Sequence, residues 1–171
     1  MDDQERVDIV NEDNQILYST SKTEAHKKNL LHRTIISEVI NNEGKMLLVK
    51  QASHKQDVGQ YVSPVGGHIR SGETEFQALE REAMEEIGLK NFSYKRVGQA
   101  IYNRFVLNHH ENHFFIVYEI FSNVLPTLND ESDGYKYFTQ EEITLALVKN
   151  PEVFGAAFHF VIDHFYPDLR K

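Results

Sequence analysis

Three glutamates, Glu82, Glu85 and Glu86, fall within the stretch REAMEEIG at residues 81–88. On a helix, positions three and four apart share a face, so these carboxylates project together beside the apolar stripe Leu79, Ala83 and Ile87. Between Glu73 and Glu86 stand six carboxylates and one cation, Arg81. Like charges at this spacing cost a helix on the order of 0.2–0.5 kcal/mol per pair. Glu85 and Glu86 also lie near the helix C-terminus, where the macrodipole disfavours negative charge. A solvated acidic face is the ordinary explanation of a charge run, but such faces interleave Lys and Arg and this one does not. A divalent cation removes the conflict, and clustered hard oxygen ligands suit Mg²⁺ or Mn²⁺.

The elements that must position this face follow from local signals. Thr74 and Gln77 have capping-box spacing and Gly88 is a helix stop, which predicts a helix over 74–88 after the glycine-bearing loop SPVGGHIRSGE. Before it, VDIV and QILYS flank the turn NEDN and predict an N-terminal hairpin. Residues 20–32 read as a polar connecting segment, and RTIISEVI, NNEG and KMLLVKQ as strand, turn and strand. After the helix, 92–102 and 113–121 read as strands separated by a polar loop rich in His and Asn, 124–134 as loop and 135–138 as a short strand. Thr139 with Glu142 starts a helix, and 151–165 reads as one amphipathic helix opening on Pro151. This order implies a mixed α/β fold.

Composition narrows the function. The 171 residues suffice for one structural unit, divided here into a hairpin and connecting segment (1–32) and a main domain (33–171). A net charge of −8 argues against a nucleic-acid polymer as partner, which needs a basic surface. It is compatible with a small phosphate compound bridged by metal. The absence of cysteine excludes disulfides, zinc–thiolate sites and thiol nucleophiles. The acidic N-terminus and short apolar runs imply no membrane association and a cytoplasmic protein.

Gly67, five residues, Glu73, seven residues, then Arg81-Glu82-Ala83-Met84-Glu85-Glu86-Ile87-Gly88-Leu89 match the box of the Nudix family at its fixed positions. The chain resembles that family. The resemblance implies an α/β/α sandwich with a mixed sheet, here with a small N-terminal β-hairpin extension. It implies a metal held by Glu82, Glu85 and Glu86 with the carbonyl of Gly66 or Gly67. Glu73 and Arg81 would form a structural pair, and water would attack a diphosphate.

The flanks are similar to one branch, isopentenyl-diphosphate isomerase and its hydrolase-like relatives. That likeness maps His26, His32, His68 and Glu111 onto a second metal site, with His113 standing where the isomerase has a second glutamate. The isomerase's catalytic cysteine is replaced by Gly66, its tryptophan is absent, and the box here is complete. The balance therefore favours a hydrolase of a nucleoside-diphosphate-linked or other small pyrophosphate compound. The isomerase and a non-catalytic nucleotide-binding module are the alternatives. Glu131, in NDESDG, and Glu111 are candidate bases. Arg33, Lys50 and Arg104 are candidate phosphate contacts, although Arg33 and Lys50 depend on strand facing, which a one-residue shift reverses. A homodimer through the hairpin or the C-terminal helix is compatible with the sequence.

Overall fold

In the computed structural model, which describes residues 4–171, the chain opens with a hairpin of β1 (Arg6–Val10) and β2 (Ile16–Ser21). The 20–32 segment is not simply a connector, because it holds a short helix, α1 (Lys22–Lys27). Ser21 accounts for this, since its hydroxyl accepts from the Glu24 amide and caps the first turn. Next come β3 (His32–Ile40), β4 (Met46–Gln51), the two-residue β5 (Tyr61–Val62) and β6 (Val65–His68). Helix α2 (Glu75–Ile87) carries both halves of the Thr74/Gln77 capping box, and Gly88 closes it in the left-handed conformation at φ 65°. Each such cap contributes about 1 kcal/mol.

Strands β7 (Ser93–Val106) and β8 (His109–Phe121) form one long hairpin. The polar loop expected between them is strand up to a two-residue turn at Leu107 and Asn108, both at positive φ. At that end of the hairpin Arg104, Leu107, Glu111 and His113 line a cavity. Strand β9 (Ser132–Phe138) and helix α3 (Gln140–Lys149) follow, with a second capping box at Thr139 and Glu142. The single helix expected over 151–165 is broken. Pro151–Val153 is a 3₁₀ turn, and α4 (Ala156–Phe165) begins after Gly155. Tertiary contact breaks it: the Gly155 amide donates to Tyr61 O at 2.9 Å, and a Cβ there would come within 2.7 Å of Val62.

Among the described residues the strands form one nine-stranded sheet. β3 is its centre, parallel to β8 over nine register pairs and antiparallel to β1, β4 and β6. Period-two alternation divides two cores. Ile35, Val39, Leu47, Val49, Phe114 and Ile116 pack with Leu79, Ala83 and Ile87 of α2. Met46 and Leu48 pack with Phe154, Phe158 and Ile162, and Ile36, Phe115 and Val117 with Val161 of α4. The result is an α/β/α sandwich around a mixed, curled sheet. No helix of the described chain is long and apolar enough to cross a membrane.

Candidate active site

The α2 caps and the β6 edge together fix the acidic face. Arg81 is its hub. Its Nε and Nη2 donate to the two Glu73 oxygens at 2.7 and 2.9 Å, and Nη2 also donates to the His68 carbonyl at 2.9 Å. Nη1 donates to Glu82 Oε1 at 2.6 Å. The Glu73 carboxylate also accepts from the Arg70 amide, which ties the loop to the helix. These bonds hold the Arg81 guanidinium above its ordinary pKa, the Glu73 bonds first.

The remaining carboxylates have too little positive charge around them. Glu86 is half-buried and its Oε2 accepts from the Gly66 amide at 2.7 Å. Burial, reinforced by Glu82, pushes its carboxyl well above the usual range. Burial likewise pushes Glu82 up to about 7, despite Arg81. Glu85, with half its side chain exposed, stands at the mouth 3.6 Å from Arg81 Nη1.

Gly67 is part of the same cradle. A Cβ there would overlap the Glu82 carboxylate, coming within 2.7 Å of Oε2 and nearer still to Oε1 and Cδ. The oxygen-only donor set, the buried like charges and this close backbone approach all suit a hard divalent cation.

On the opposite side of β6 lies a second cluster. His26 from α1, His32 and His113 from β3 and β8, and His68 from β6 bring one nitrogen each within 4.8 Å of one another. His26 Nδ1 bonds His110 O at 2.8 Å and His32 Nδ1 bonds Leu30 O at 2.7 Å, which aims their Nε2 atoms inward. Nε2 of His32 and of His113 is buried without a partner. Burial lowers all four imidazole pKa values, His32 to about 4, which favours neutral rings able to coordinate, and Nε2 of His26 and of His68 lie 3.1 Å apart. Orphaned inward-facing nitrogens on neutral rings fit a borderline transition-metal cation.

Both clusters open on one cavity of about 670 Å³. Its walls include Glu82, Glu85 and Glu86, the Gly66–Gly67–His68 edge, Thr34 and Ile36 of β3, Tyr102 and Arg104 of β7, and Lys55, Glu131 and Ala157. Glu131 sits at the rim, paired with Lys55 at 3.3 Å.

Glu111 lines the cavity, but its Oε2 accepts from Arg104 Nε at 2.7 Å, beside the four-histidine group rather than in it. Arg104 also reaches Asp57 at 3.2 Å, so it is held by two carboxylates. Arg33 and Lys50 do not line the cavity. Arg33 shares register with Phe114 on the α2 face, where it donates to Asp8 at 3.0 Å, and Lys50 is exposed to solvent. The alternation that points Thr34 and Ile36 into the cavity turns Arg33 away.

Sequence reasoning passed over Thr34 and Tyr102, whose buried hydroxyls lack partners, and Lys55, which pairs with Glu131. Tyr102 had a usable signal, since it precedes Arg104 by two and so shares its face.

Comparison with known proteins agrees with this fold. The family model described as NUDIX domain matches residues 30–158. An isopentenyl-diphosphate Delta-isomerase of Serratia proteamaculans (strain 568) is 26% identical over 158 residues, covering 88% of this chain and 85% of that protein. A Nudix hydrolase of Shigella flexneri, YfcD, itself described as uncharacterized, is 28% identical over 145 residues, covering 82% and 77%. Among solved structures, DR0079 from Deinococcus radiodurans superposes with a TM-score of 0.73 at 23% identity, covering 93% of this chain and 98% of that one.

Proposed function

We propose that this chain, which belongs to the Nudix family and is a pyrophosphohydrolase, is a Mg²⁺- or Mn²⁺-dependent one acting on a nucleoside-diphosphate-linked or other small diphosphate compound. The observation that carries this reading is the cradle in which Glu82 lies buried against Gly67 and Glu86 accepts from the Gly66 amide, with Glu85 at the mouth.

Glu82, Glu85, Glu86 and a carbonyl of the Gly66–Gly67 edge would hold the cation, which supplies charge neutralisation at the diphosphate oxygens and makes water more acidic. Arg81 keeps Glu82 in place and anchors the His68 carbonyl. The attacking water forms a new bond to phosphorus, the bridging P–O bond breaks, and the leaving oxygen takes the electron pair. Glu131 or Glu85, both reaching solvent at the cavity rim, accepts the proton from that water, and Lys55 faces the developing negative charge. Arg104, Tyr102 and Thr34 also line the cavity, where the group attached to the diphosphate would rest. The four histidines are proposed as a second, separate cation site.

A second reading is favoured by the isomerase relatives. Against it stand the missing cysteine and tryptophan, and Glu111's engagement with Arg104. Protonating and deprotonating an alkene needs a positioned acid and base, and these departures remove or occupy the candidates.

The test is a panel of nucleoside triphosphates, nucleotide sugars, dinucleotides, coenzyme A and isopentenyl diphosphate with Mg²⁺ and then Mn²⁺, read by chromatography beside Glu85→Gln. Cleavage of a pyrophosphate bond that the variant loses supports the hydrolase. Isomerised isopentenyl diphosphate with no cleavage would replace it.

A further inference from the structure

Glu38 has no part in the chemistry above, yet it is the most deeply enclosed acid of the sheet, with no exposed surface. It lies on the cavity face of β3, two residues beyond Ile36, which lines the cavity. Its cross-strand neighbour in the β3–β8 register is another acid, Glu119. Glu119 accepts from the Tyr166 hydroxyl, just past α4, at 2.8 Å. The Ser63 hydroxyl donates to Glu38 Oε1, and Oε2 has no partner. Ser63 in turn lines the cavity, three residues before Gly66. A carboxyl in apolar surroundings beside a second carboxyl does not ionise readily. Burial first, and then Glu119, push Glu38 up to about 7. Tyr166, raised by burial and by the same two acids, stays neutral there.

A serine hydroxyl has one hydrogen. When Glu38 is ionised, that hydrogen goes to the carboxylate, and Ser63 shows only lone pairs to the cavity. When Glu38 is protonated, the acid donates to Ser63 Oγ, and the serine hydrogen is free to turn toward a ligand. We infer that Glu38 is a positioning residue that never touches the ligand but, through Ser63, sets whether the cavity wall offers a hydrogen or a lone pair to a bound diphosphate. The inference rests on the diphosphate reading of the cavity. An anionic ligand gains from the donor state, so binding is expected to weaken as pH rises through Glu38's titration.

Calorimetric titration of inorganic pyrophosphate with Mg²⁺, across the neutral pH range, tests this on wild type, Glu38→Gln and Ser63→Ala. Wild type is expected to contain a pH-dependent component of affinity that both variants lack. Ser63→Ala is also expected to bind about 10-fold more weakly at the acid end, the scale of one hydrogen bond to a charged group. A purely structural role for Glu38 would change the melting temperature and leave the pH profile alone. If both variants keep the wild-type profile, the inference is overturned. If wild type binds no pyrophosphate at any pH, it is the diphosphate reading that fails, and the inference falls with it. Ser63→Ala removes only a hydroxyl at the cavity wall, so the test does not depend on the fold tolerating a change at Glu38.

Discussion

Replacing Gly67 with alanine adds one methyl group at the point where backbone and carboxylate are closest. The new Cβ would lie within 2.7 Å of Glu82 Oε2 and closer to Oε1 and Cδ, whereas real Cβ contacts essentially never fall under 3.0 Å. Glu82 cannot swing freely, because it is 9% exposed and bonded to Arg81 at 2.6 Å. Either its carboxyl retreats by about 1 Å or β6 lifts from α2, and a misplacement of about 1 Å in a catalytic constellation costs roughly 10²-fold in rate. Overpacking of this kind also costs about 1–3 kcal/mol of stability. For a domain of this size each kcal/mol lowers the melting temperature by about 2–4 °C. Gly66→Ala is the internal control. Its Cβ would meet Ile35 O at 3.5 Å and Ile36 Cγ1 at 3.9 Å, which are ordinary contacts. The assay is Mn²⁺ binding by calorimetry, with turnover of the best panel compound and a melting curve alongside. If Gly67→Ala binds Mn²⁺ and turns over like Gly66→Ala, Glu82 is not held against the β6 backbone and the cradle is not the metal site.

Three further outcomes are expected. Glu85→Gln should melt like wild type, since the side chain is half-exposed, yet lose about 10²–10³-fold in turnover, the scale of removing one electrostatic stabiliser. Unchanged turnover would remove Glu85 from the mechanism. His113→Ala should weaken binding of one equivalent of Co²⁺ or Zn²⁺ while leaving the Mg²⁺ requirement of turnover intact, and equal Co²⁺ affinity of both proteins would refute a four-imidazole site. Glu38→Gln should gain stability over wild type as pH rises, followed by calorimetric unfolding. Below about pH 4.5 both folded and unfolded chains carry the Glu38 proton. Above it the unfolded chain ionises first, so wild-type folding loses roughly 3 kcal/mol before the folded group titrates at about 7. A constant difference between the two proteins across that window would show that Glu38 ionises normally in the fold.

Helix α2 was legible because its start, stop and charged face are written in adjacent residues, from Thr74 and Gln77 to Gly88. The sandwich was legible through its family resemblance and its alternating strands. What escaped was set by parity and by distant contact. Arg33 and Thr34 are neighbours in sequence, and only the register with Phe114 and Phe115 tells which one meets the cavity. The break before α4 comes from Tyr61 and Val62, roughly ninety residues upstream, which no helical pattern in 151–165 encodes. The His109–Asn112 run looked like loop because consecutive polar residues signal a loop, yet pairing with Asn103–Val106 of β7 makes it strand, and of the four only Glu111 lines the cavity. Glu38 looked like any polar residue on a strand, and its enclosure depends on Ser63, Glu119 and Tyr166 arriving from three other segments.

Strand β6 is four residues long, and its two faces serve different clusters. Gly66 and His68, paired with Ile36 and Thr34, look toward the cavity and the histidines, while Gly67, paired with Ile35, looks toward Glu82. An insertion or deletion of one residue between Pro64 and His68 would therefore not merely shift a loop. It would exchange the faces, drive the imidazole of His68 against α2 and empty its place among the other three rings. This segment should accordingly be closed to length variation even where its side chains can be exchanged. The run from β5 to α2 is, in effect, a fixed dimension of the molecule.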